Sequence, residues 1–304
     1  MKAESTQQTI CTNLLAWYDA AGRDLPWRDT TDAYEILVSE VMLQQTQVPR
    51  VLLHYPAWLE RFPSWESLAA AGTAEVIRAW GGLGYNRRAL ALQEIARQVV
   101  NRGLPRSEDE WRQLKGIGPY TAAAMTVFAL GKRAVPIDTN IRRTGARLLL
   151  GIPHSVPSVD ARLRPVLSRL LDTTGRFADL VQALFDLASR ICLKNPLCAT
   201  CPLAEPCPVS TGFLGGHHPA PVRASAASRE RKHRNKPHPD RIFRGRILCL
   251  VREAPAGLAV GGLGPLVDPA FDPDLDTDWL EAMIRRLADD GLIVRRGGRL
   301  RLPG

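Results

Sequence analysis

Two carboxylates stand in apolar stretches of the sequence, where they could do acid–base chemistry. Glu40 lies within the apolar run 36–43 of a predicted helix. Because burial disfavours a charge, the pKa of this carboxyl should be raised, leaving it protonated near neutral pH as a general acid requires. Asp138 follows the apolar residues 135–137 and could also cap a helix that begins near Ile141. Two carboxylates with separated pKa values can divide the cleavage of a glycosidic bond, one protonating the leaving group while the other stays ionised beside the anomeric carbon.

A glycine-containing hairpin precedes Asp138. Residues 114–118 read Leu-Lys-Gly-Ile-Gly between two helical patterns and predict a helix-hairpin-helix. Gly116 and Gly118 would let backbone N–H groups approach a phosphate closely, and Lys115 suits a phosphate contact. Tyr120 comes directly after the hairpin. A clamp for the DNA backbone near a carboxylate suggests an enzyme that acts on a base within DNA.

Four of the six cysteines crowd into one short segment with the spacing C-x5-C-x2-C-x5-C, at Cys192, Cys198, Cys201 and Cys207. Such a cluster indicates a metal site in a reducing compartment rather than a disulfide framework. Either Zn²⁺ or a [4Fe–4S] cluster could be bound, and a single CxxC with long flanking gaps favours iron–sulfur.

The composition points to a polyanionic partner. The chain has 304 residues, 45% of them hydrophobic, and a formal net charge of +9. This charge favours nucleic acid over a membrane surface. The first twenty residues contain no long apolar run, so neither a signal peptide nor a membrane span is expected. We therefore predict a cytoplasmic, nucleoid-associated protein that binds no membrane, and we expect a monomer.

The first two thirds of the chain predict an all-α region over residues 1–210, since apolar residues recur at helical spacing without strand-like alternation. Asp32, or a threonine before it, can cap the helix that carries Glu40. Residues 211–241 are rich in Gly, Pro, Ser and basic side chains and predict a linker. Its basic residues could touch phosphates or could simply be solvated.

The last segment, residues 242–304, predicts a small separate domain. Helices are expected over 244–252 and 279–289, followed by a hairpin that turns at Gly297-Gly298. Helices followed by a two-stranded wing resemble a winged-helix module. Such modules bind DNA in some proteins and serve only as packing or protein-contact domains in others.

Residues up to about 210 resemble the helix-hairpin-helix DNA glycosylases with an iron–sulfur loop, and among them the MutY-type adenine DNA glycosylases. The resemblance rests on the hairpin, the four cysteines and four runs: Leu25-Pro26-Trp27-Arg28, Ser39-Glu40-Val41-Met42-Leu43-Gln44-Gln45-Thr46, Gly82-Leu83-Gly84-Tyr85 and Asp138-Thr139-Asn140. The second run is highly specific to that family. The resemblance implies a mainly α fold, with a two-lobed helix-hairpin-helix glycosylase domain, an iron–sulfur loop holding a [4Fe–4S] cluster, and here a small winged-helix-like C-terminal domain.

The resemblance also implies catalytic roles. Glu40 would protonate a flipped adenine at N7, and Asp138 would stabilise the oxocarbenium-like sugar or bond to it transiently. Tyr120 would support that centre, and Asn140 would orient Asp138. Related enzymes that cut the strand carry a lysine at the position of Tyr120. Because tyrosine cannot form a Schiff base, we predict base hydrolysis that leaves an abasic site.

Further positions would contact the DNA. Gln45 and Tyr85 resemble wedge residues that enter the base stack, and they would help to offset the cost of unstacking the flipped base. Trp27, Arg28 and Leu43 would line the adenine pocket. The expected partner is double-stranded DNA that contains a mispair or an oxidised guanine.

The sequence departs from the family pattern in several places. The first cysteine gap has five residues where six are usual, Asn86 stands in place of a second tyrosine, and Thr139 stands where glycine is common. The 60 or so residues after the linker are too few for the Nudix-like domain that reads 8-oxoguanine in the family.

Three functions follow from these features. The leading prediction is excision of adenine opposite 8-oxoguanine or guanine. The first alternative is removal of thymine or uracil from mismatches, against which Glu40 argues, because protonation of a purine N7 has no pyrimidine counterpart. The second is a non-catalytic iron–sulfur DNA-binding regulator.

Overall fold

The computed structural model describes residues 2–219, 232–234 and 236–304. Over these residues the chain is mainly helical, as predicted, and no strand occurs before residue 220. The helices are α1 (Lys2–Ala21), α2 (Ala33–Leu43), α3 (Val48–Arg61), α4 (Trp65–Ala70), α5 (Thr73–Ala79), α6 (Arg87–Arg102), α7 (Glu108–Gln113), α8 (Pro119–Phe128), α9 (Thr139–Leu150), α10 (Asp160–Asp172), α11 (Phe177–Arg190), α12 (Ser210–Leu214), α13 (Asp240–Glu253), α14 (Leu263–Val267) and α15 (Pro273–Asp289).

The first of two compact units comprises Met1–Glu40 and Pro105–Val222. Its core is built from the apolar faces of α1, α9, α10 and α11, where Leu14, Leu163, Leu170 and Leu180 are fully buried. The Asp32 carboxylate accepts hydrogen bonds from the backbone N–H groups of residues 34 and 35, which confirms it as the cap of α2.

The helix-hairpin-helix consists of α7 and α8. Leu114 and Ile117 are buried and hold the turn on the core, whereas Lys115, Gly116 and Gly118 are exposed. Gly116 has φ of 106°, a conformation that only glycine adopts without strain. Because buried and exposed residues alternate along the turn, one edge of the turn faces the solvent.

The second unit comprises Val41–Leu104 and Arg223–Gly304. In its first segment, aromatic residues of α3 and the end of α5 form the centre of the core. The Trp58 ring meets the rings of Phe62 and Trp80 edge-on, with centroid distances of 4.9 and 5.3 Å. All three side chains are almost completely buried.

The C-terminal module of this unit, residues 240–304, has the helix and strand order of a winged helix, as predicted. Three strands, β1 (Leu258–Ala259), β2 (Val294–Arg296) and β3 (Arg299–Arg301), form an antiparallel sheet in the order β1-β3-β2. The β2–β3 turn lies at Gly297 and Gly298, which both have positive φ. The sequence analysis missed β1 and α14 because both are very short.

The module packs on α5 of the same unit, since Ile77 belongs to its apolar core together with Phe243 and Trp279. Asn86, the position where a second tyrosine is usual, accepts a hydrogen bond from the Arg252 guanidinium of α13. Arg87 and Asp290 form an ion pair at 3.5 Å. The module is therefore fastened to the segment that carries Tyr85.

Most of the predicted linker, residues 220–231 and residue 235, lies outside the described residues. Its start forms α12, and its end is anchored on the C-terminal module. His233 Nε2 and Arg234 Nη1 each lie 3.0 Å from Asp276 Oδ1, and the Lys236 ammonium contacts both Asp276 and Asp268. Arg234 and Lys236 are thus ion-paired within the module. The domain boundaries at 210/211 and 241/242 stay predictions.

Within the described part of the chain, no helix has the length and apolarity needed to cross a membrane.

Candidate active site

Glu40 lies in the last turns of α2, in largely buried surroundings. Desolvation raises the pKa of its carboxyl to about 7, and the charge of Asp138 contributes to the rise. A hydrogen bond with Tyr120 acts in the opposite direction and lowers this pKa. At neutral pH the group is therefore close to half protonated, as expected for a general acid.

Tyr120 is placed by the hairpin, at the second residue of α8. Its ring packs edge-on against Phe185 of α11, with the centroids 6.4 Å apart. Burial raises the pKa of the phenol well above its usual value, and the charges of Glu40 and Asp138 raise it further. Tyr120 thus stays neutral and can donate its hydroxyl proton to the Glu40 carboxylate.

Asp138 caps α9, which confirms the helix-capping role predicted from its position before Ile141. Its Oδ1 accepts hydrogen bonds from the backbone N–H groups of Asn140 at 2.9 Å and of Ile141 at 2.7 Å. Its Oδ2 accepts one from Asn140 Nδ2 at 2.8 Å. Three donors hold one carboxylate in one orientation, at the positive end of a helix dipole that stabilises negative charge.

Asn140 is held in turn by an arginine of the same helix. Arg143 Nη2 lies 3.2 Å from Asn140 Oδ1. The same guanidinium donates to the backbone carbonyls of Ala188 and Cys192, both at 2.8 Å. One side chain therefore connects the residue that orients Asp138 with the first cysteine of the cluster segment.

The four cysteines of that segment line one apolar pocket, Cys192, Cys198, Cys201 and Cys207. Burial raises the pKa of the Cys201 thiol to about 11, and the charges of the three other cysteines add to the rise, which shows that they share one environment. Within the described residues, no group of three or more His, Cys, Asp or Glu side chains is arranged to hold a metal ion.

Arg147 organises the segment around this pocket. It is buried, with 3% of its surface exposed, and it donates to the carbonyls of Pro153, Leu193 and Lys194 at 2.6–3.0 Å. Its Nη1 also lies 3.5 Å from the Cys192 sulfur. A guanidinium donor beside a cysteine sulfur and a pocket lined by four cysteines fit the demands of an anionic metal–sulfur group.

The hairpin residues Lys115, Gly116 and Gly118 lie on the exposed edge of the turn that precedes Tyr120. Gly118 is the N-cap of α8, and a Cβ added there would meet no atom within 4 Å. Its φ of −89° is open to any residue. Neither the backbone conformation nor the neighbouring atoms of the described chain require glycine at position 118. The close approach of an external phosphate to the backbone would require it.

Gln45 and Tyr85 lie in two loops of the second unit, residues 44–47 and 83–86, which we call the wedge loops. Both are exposed, and both have the left-handed conformation that non-glycine residues rarely adopt, with φ of 56° and 46°. Such strain persists where the surroundings hold the backbone, and it is concentrated at functional sites.

Arg88, the second residue of α6, ties the wedge loops together. Its guanidinium donates to the carbonyls of Val41 and Met42 at the end of α2, to Thr46 Oγ1 at 3.0 Å and to the carbonyl of Gly84 at 3.1 Å. It also lies over the Tyr85 ring, 5.4 Å from the centroid.

The three predicted pocket residues lie in different surroundings. Trp27 is buried in a short 3₁₀ turn, and Leu43 is half-buried at the last residue of α2. Arg28 forms a bidentate ion pair with the fully buried Asp186, at 3.0 and 2.7 Å. Their contact with adenine stays a prediction.

Sequence reasoning missed Arg88 and Arg147. The four-residue spacing of Arg143 and Arg147 places them on one face of α9 and could have suggested a shared target. No local signal identifies Arg88, because its partners are mostly backbone carbonyls from distant segments.

Residues 38–182 match the family model described as "HhH-GPD superfamily base excision DNA repair protein". The adenine DNA glycosylase of Mycolicibacterium smegmatis is 37% identical over 284 residues, which cover 91% of this chain and 92% of the relative. The chain belongs to the adenine DNA glycosylase family of the helix-hairpin-helix superfamily. This membership also confirms the resemblance inferred from the sequence.

The matches differ in how far they extend. The adenine DNA glycosylase of Homo sapiens is 39% identical over 209 residues, or 64% of this chain and 38% of the human protein. The mycobacterial match, in contrast, must extend into the C-terminal module. Among solved structures, a thermostable thymine-DNA glycosylase has a TM-score of 0.63 at 27% identity, covering 68% of this chain and 97% of its own.

Proposed function

We propose that the chain is a monofunctional DNA glycosylase that hydrolyses the N-glycosidic bond of adenine mispaired with guanine or 8-oxoguanine and leaves an abasic site. The family membership supports removal of adenine. The observation that carries the chemistry is the arrangement of Glu40 with Tyr120 and Asp138, where a carboxyl with a pKa of about 7 stands near a carboxylate held by three donors.

The reaction divides between the two acids. Glu40 donates its proton to N7 of the flipped adenine, so the electron pair of the C1′–N9 bond can leave with the base. Positive charge then develops on the sugar, and the Asp138 carboxylate stabilises it. Water adds its oxygen to C1′ and gives its proton to the carboxylate that Glu40 has become, which restores the acid.

Tyr120 limits the reaction to hydrolysis. A strand-cutting glycosylase needs an amine that attacks C1′ and forms a Schiff base. The side chain of Tyr120 is half-buried and hydrogen-bonded to Glu40, and its raised pKa keeps the phenol protonated. It orients and tunes the acid.

The hairpin serves as the clamp for the DNA backbone. The free space around Gly118 and the exposed Lys115 support phosphate binding at the N-terminus of α8. Gln45 and Tyr85, on the strained wedge loops, would fill the gap left in the base stack.

The cysteine pocket would hold a [4Fe–4S] cluster through Cys192, Cys198, Cys201 and Cys207. When bound, the cluster would supply a structural tie for the segment, and no step of the base excision passes through it. Broad visible absorption with about four irons per chain is expected of the purified protein. Zinc in place of iron would contradict this assignment.

The function is tested with purified protein and duplexes that carry A:8-oxoguanine, A:G, T:G or U:G pairs, each scored for strand breaks with and without alkali. Adenine release that gives breaks only after alkali is expected. Breaks without alkali would contradict the monofunctional assignment, and release of thymine or uracil in place of adenine would favour a mismatch pyrimidine glycosylase.

A further inference from the structure

A large open groove lies within the second unit, on the side of the wedge loops. Its volume is about 980 Å³. One wall is formed by the two wedge loops, and the other by the first turn of α13 and the end of α15 in the C-terminal module. The module is therefore part of the surface that surrounds Gln45 and Tyr85.

The groove is strongly basic. Among the described residues, its lining includes five arginines, Arg50, Arg87, Arg88, Arg241 and Arg244, and one acid, Asp290. That acid is paired with Arg87. Amide side chains of the wedge loops supply most of the other polar groups. A groove with this charge and lining suits a polyanion better than an apolar small molecule.

The arginines that line the groove differ in their exposure and in the contacts of their guanidinium groups. Arg88 donates to backbone carbonyls of α2 and of the wedge loops, and Arg50 donates to the carbonyl of Gly82 at 3.2 Å. On the module's wall, Arg241 is exposed, and the half-buried Arg244 has a buried Nε without a hydrogen-bond partner among the described residues.

The acid nearest to these two arginines in sequence does not line the groove. Asp240, at the start of α13, is buried and accepts a hydrogen bond from Trp279 Nε1 at 3.0 Å inside the module. Its charge is thus directed into the core of the module. The first turn of α13 presents its cations to the groove.

We propose that this groove binds the sugar–phosphate backbone of the DNA duplex next to the mispair, with Arg241 and Arg244 of the C-terminal module as phosphate contacts. The proposal rests on the proposed function only in taking duplex DNA as the ligand. In this proposal the C-terminal module contributes to substrate binding. The hydrogen bond between Asn86 and Arg252 holds the module's wall of the groove in place.

The test compares the double variant Arg241→Gln/Arg244→Gln with Arg285→Gln, an exposed arginine on α15 of the same module outside the groove. Binding of an A:G duplex is followed by fluorescence anisotropy over a range of salt concentrations. We expect the double variant to bind at least about tenfold more weakly, with a salt slope smaller by about two, since each phosphate contact contributes about 0.9. The control should match the wild type.

A second measurement changes the DNA and gives its main result on the wild-type protein. Neutral methylphosphonates beside the mispair should reduce the salt slope of the wild type by the same amount, and they should cost the double variant nothing further. Wild-type affinity and slope in the double variant would overturn the proposal. A wild type that binds the duplex but releases no adenine would refute the proposed function alone.

Discussion

The site around Asp138 and the groove beside Tyr85 use arginine in opposite ways. In the first unit, Arg143 and Arg147 are turned inward, and their donors are taken up by carbonyls of the cysteine segment and by Asn140. In the second unit, Arg241 and Arg244 face the groove. The first pair fixes geometry inside the protein, whereas the second pair lines the surface that we propose to bind DNA.

This difference separates the chemistry from recognition. A carboxylate that must stabilise a developing charge works best when it is already oriented, so its surroundings are completed by the protein itself. A surface that binds a long polyanion works through positive charges, which the phosphates of the polyanion neutralise on binding. Substitutions in the two regions should therefore have different effects.

The largest effect is expected at Asp138. Asn at this position can still cap α9 through its side-chain oxygen, but it carries no charge. Asp138→Asn should therefore slow single-turnover excision of adenine by about 10²–10³-fold while leaving duplex binding intact. Excision at the wild-type rate, with the substitution verified, would remove Asp138 from the reaction.

The inward-facing arginines should matter for stability in a way that outward-facing ones do not. Arg147→Met leaves the carbonyls of Pro153, Leu193 and Lys194 without their donor. We expect a loss of about 2–4 kcal/mol in the free energy of unfolding, against about 0.5 kcal/mol or less for Arg285→Met on the exposed face of α15. Urea unfolding of the two variants measures the difference, and equal losses would contradict the distinction.

Burial of Glu40 has a cost that depends on pH. Its pKa of about 7 in the folded chain lies above the ordinary value of 4.5, so the folded state binds the proton more tightly than the unfolded state does. The wild type therefore loses stability as pH rises from about 4.5 to 7, and the loss is complete above 7. Glu40→Gln should be more stable than the wild type by about 1–3 kcal/mol at pH 8 and by nothing at pH 4. A pH-independent difference in melting temperature would contradict a desolvated Glu40 that titrates near pH 7.

The smallest effect concerns strain in the wedge loops. Tyr85 has φ of 46°, so Tyr85→Gly should be about 1 kcal/mol more stable than Tyr85→Ala. Leu53, an exposed residue within α3, provides the control, because Gly there should be about 1 kcal/mol less stable than Ala. If the Gly variant were less stable than the Ala variant at both positions, residue 85 would not be held in the left-handed region.

The sequence was sufficient for the features that depend on local pattern. Asp32 and Asp138 precede helices and cap them, and Gly297-Gly298 turns the last hairpin. In each case the deciding interaction lies within a few residues along the chain.

Features made by distant segments could not be predicted in this way. Arg88 joins the wedge loops through carbonyls as far as 47 residues away, and backbone carbonyls carry no sequence signal. Likewise, the docking of the C-terminal module depends on Asn86 and Arg252, which are 166 residues apart. The sequence shows that asparagine replaces the usual second tyrosine at position 86. It does not show that Arg252 is the hydrogen-bond partner of Asn86.

The central claim is that Glu40 is a general acid tuned by Tyr120 and Asp138. It is tested most directly by the pH dependence of single-turnover adenine excision in the wild type and in Tyr120→Phe. For the wild type, the rate should fall as pH rises through about 7, the pKa of Glu40. In Tyr120→Phe the midpoint should move to higher pH, because the lost hydrogen bond favoured the charged carboxylate. A flat profile, or a midpoint that moves to lower pH, would contradict the claim.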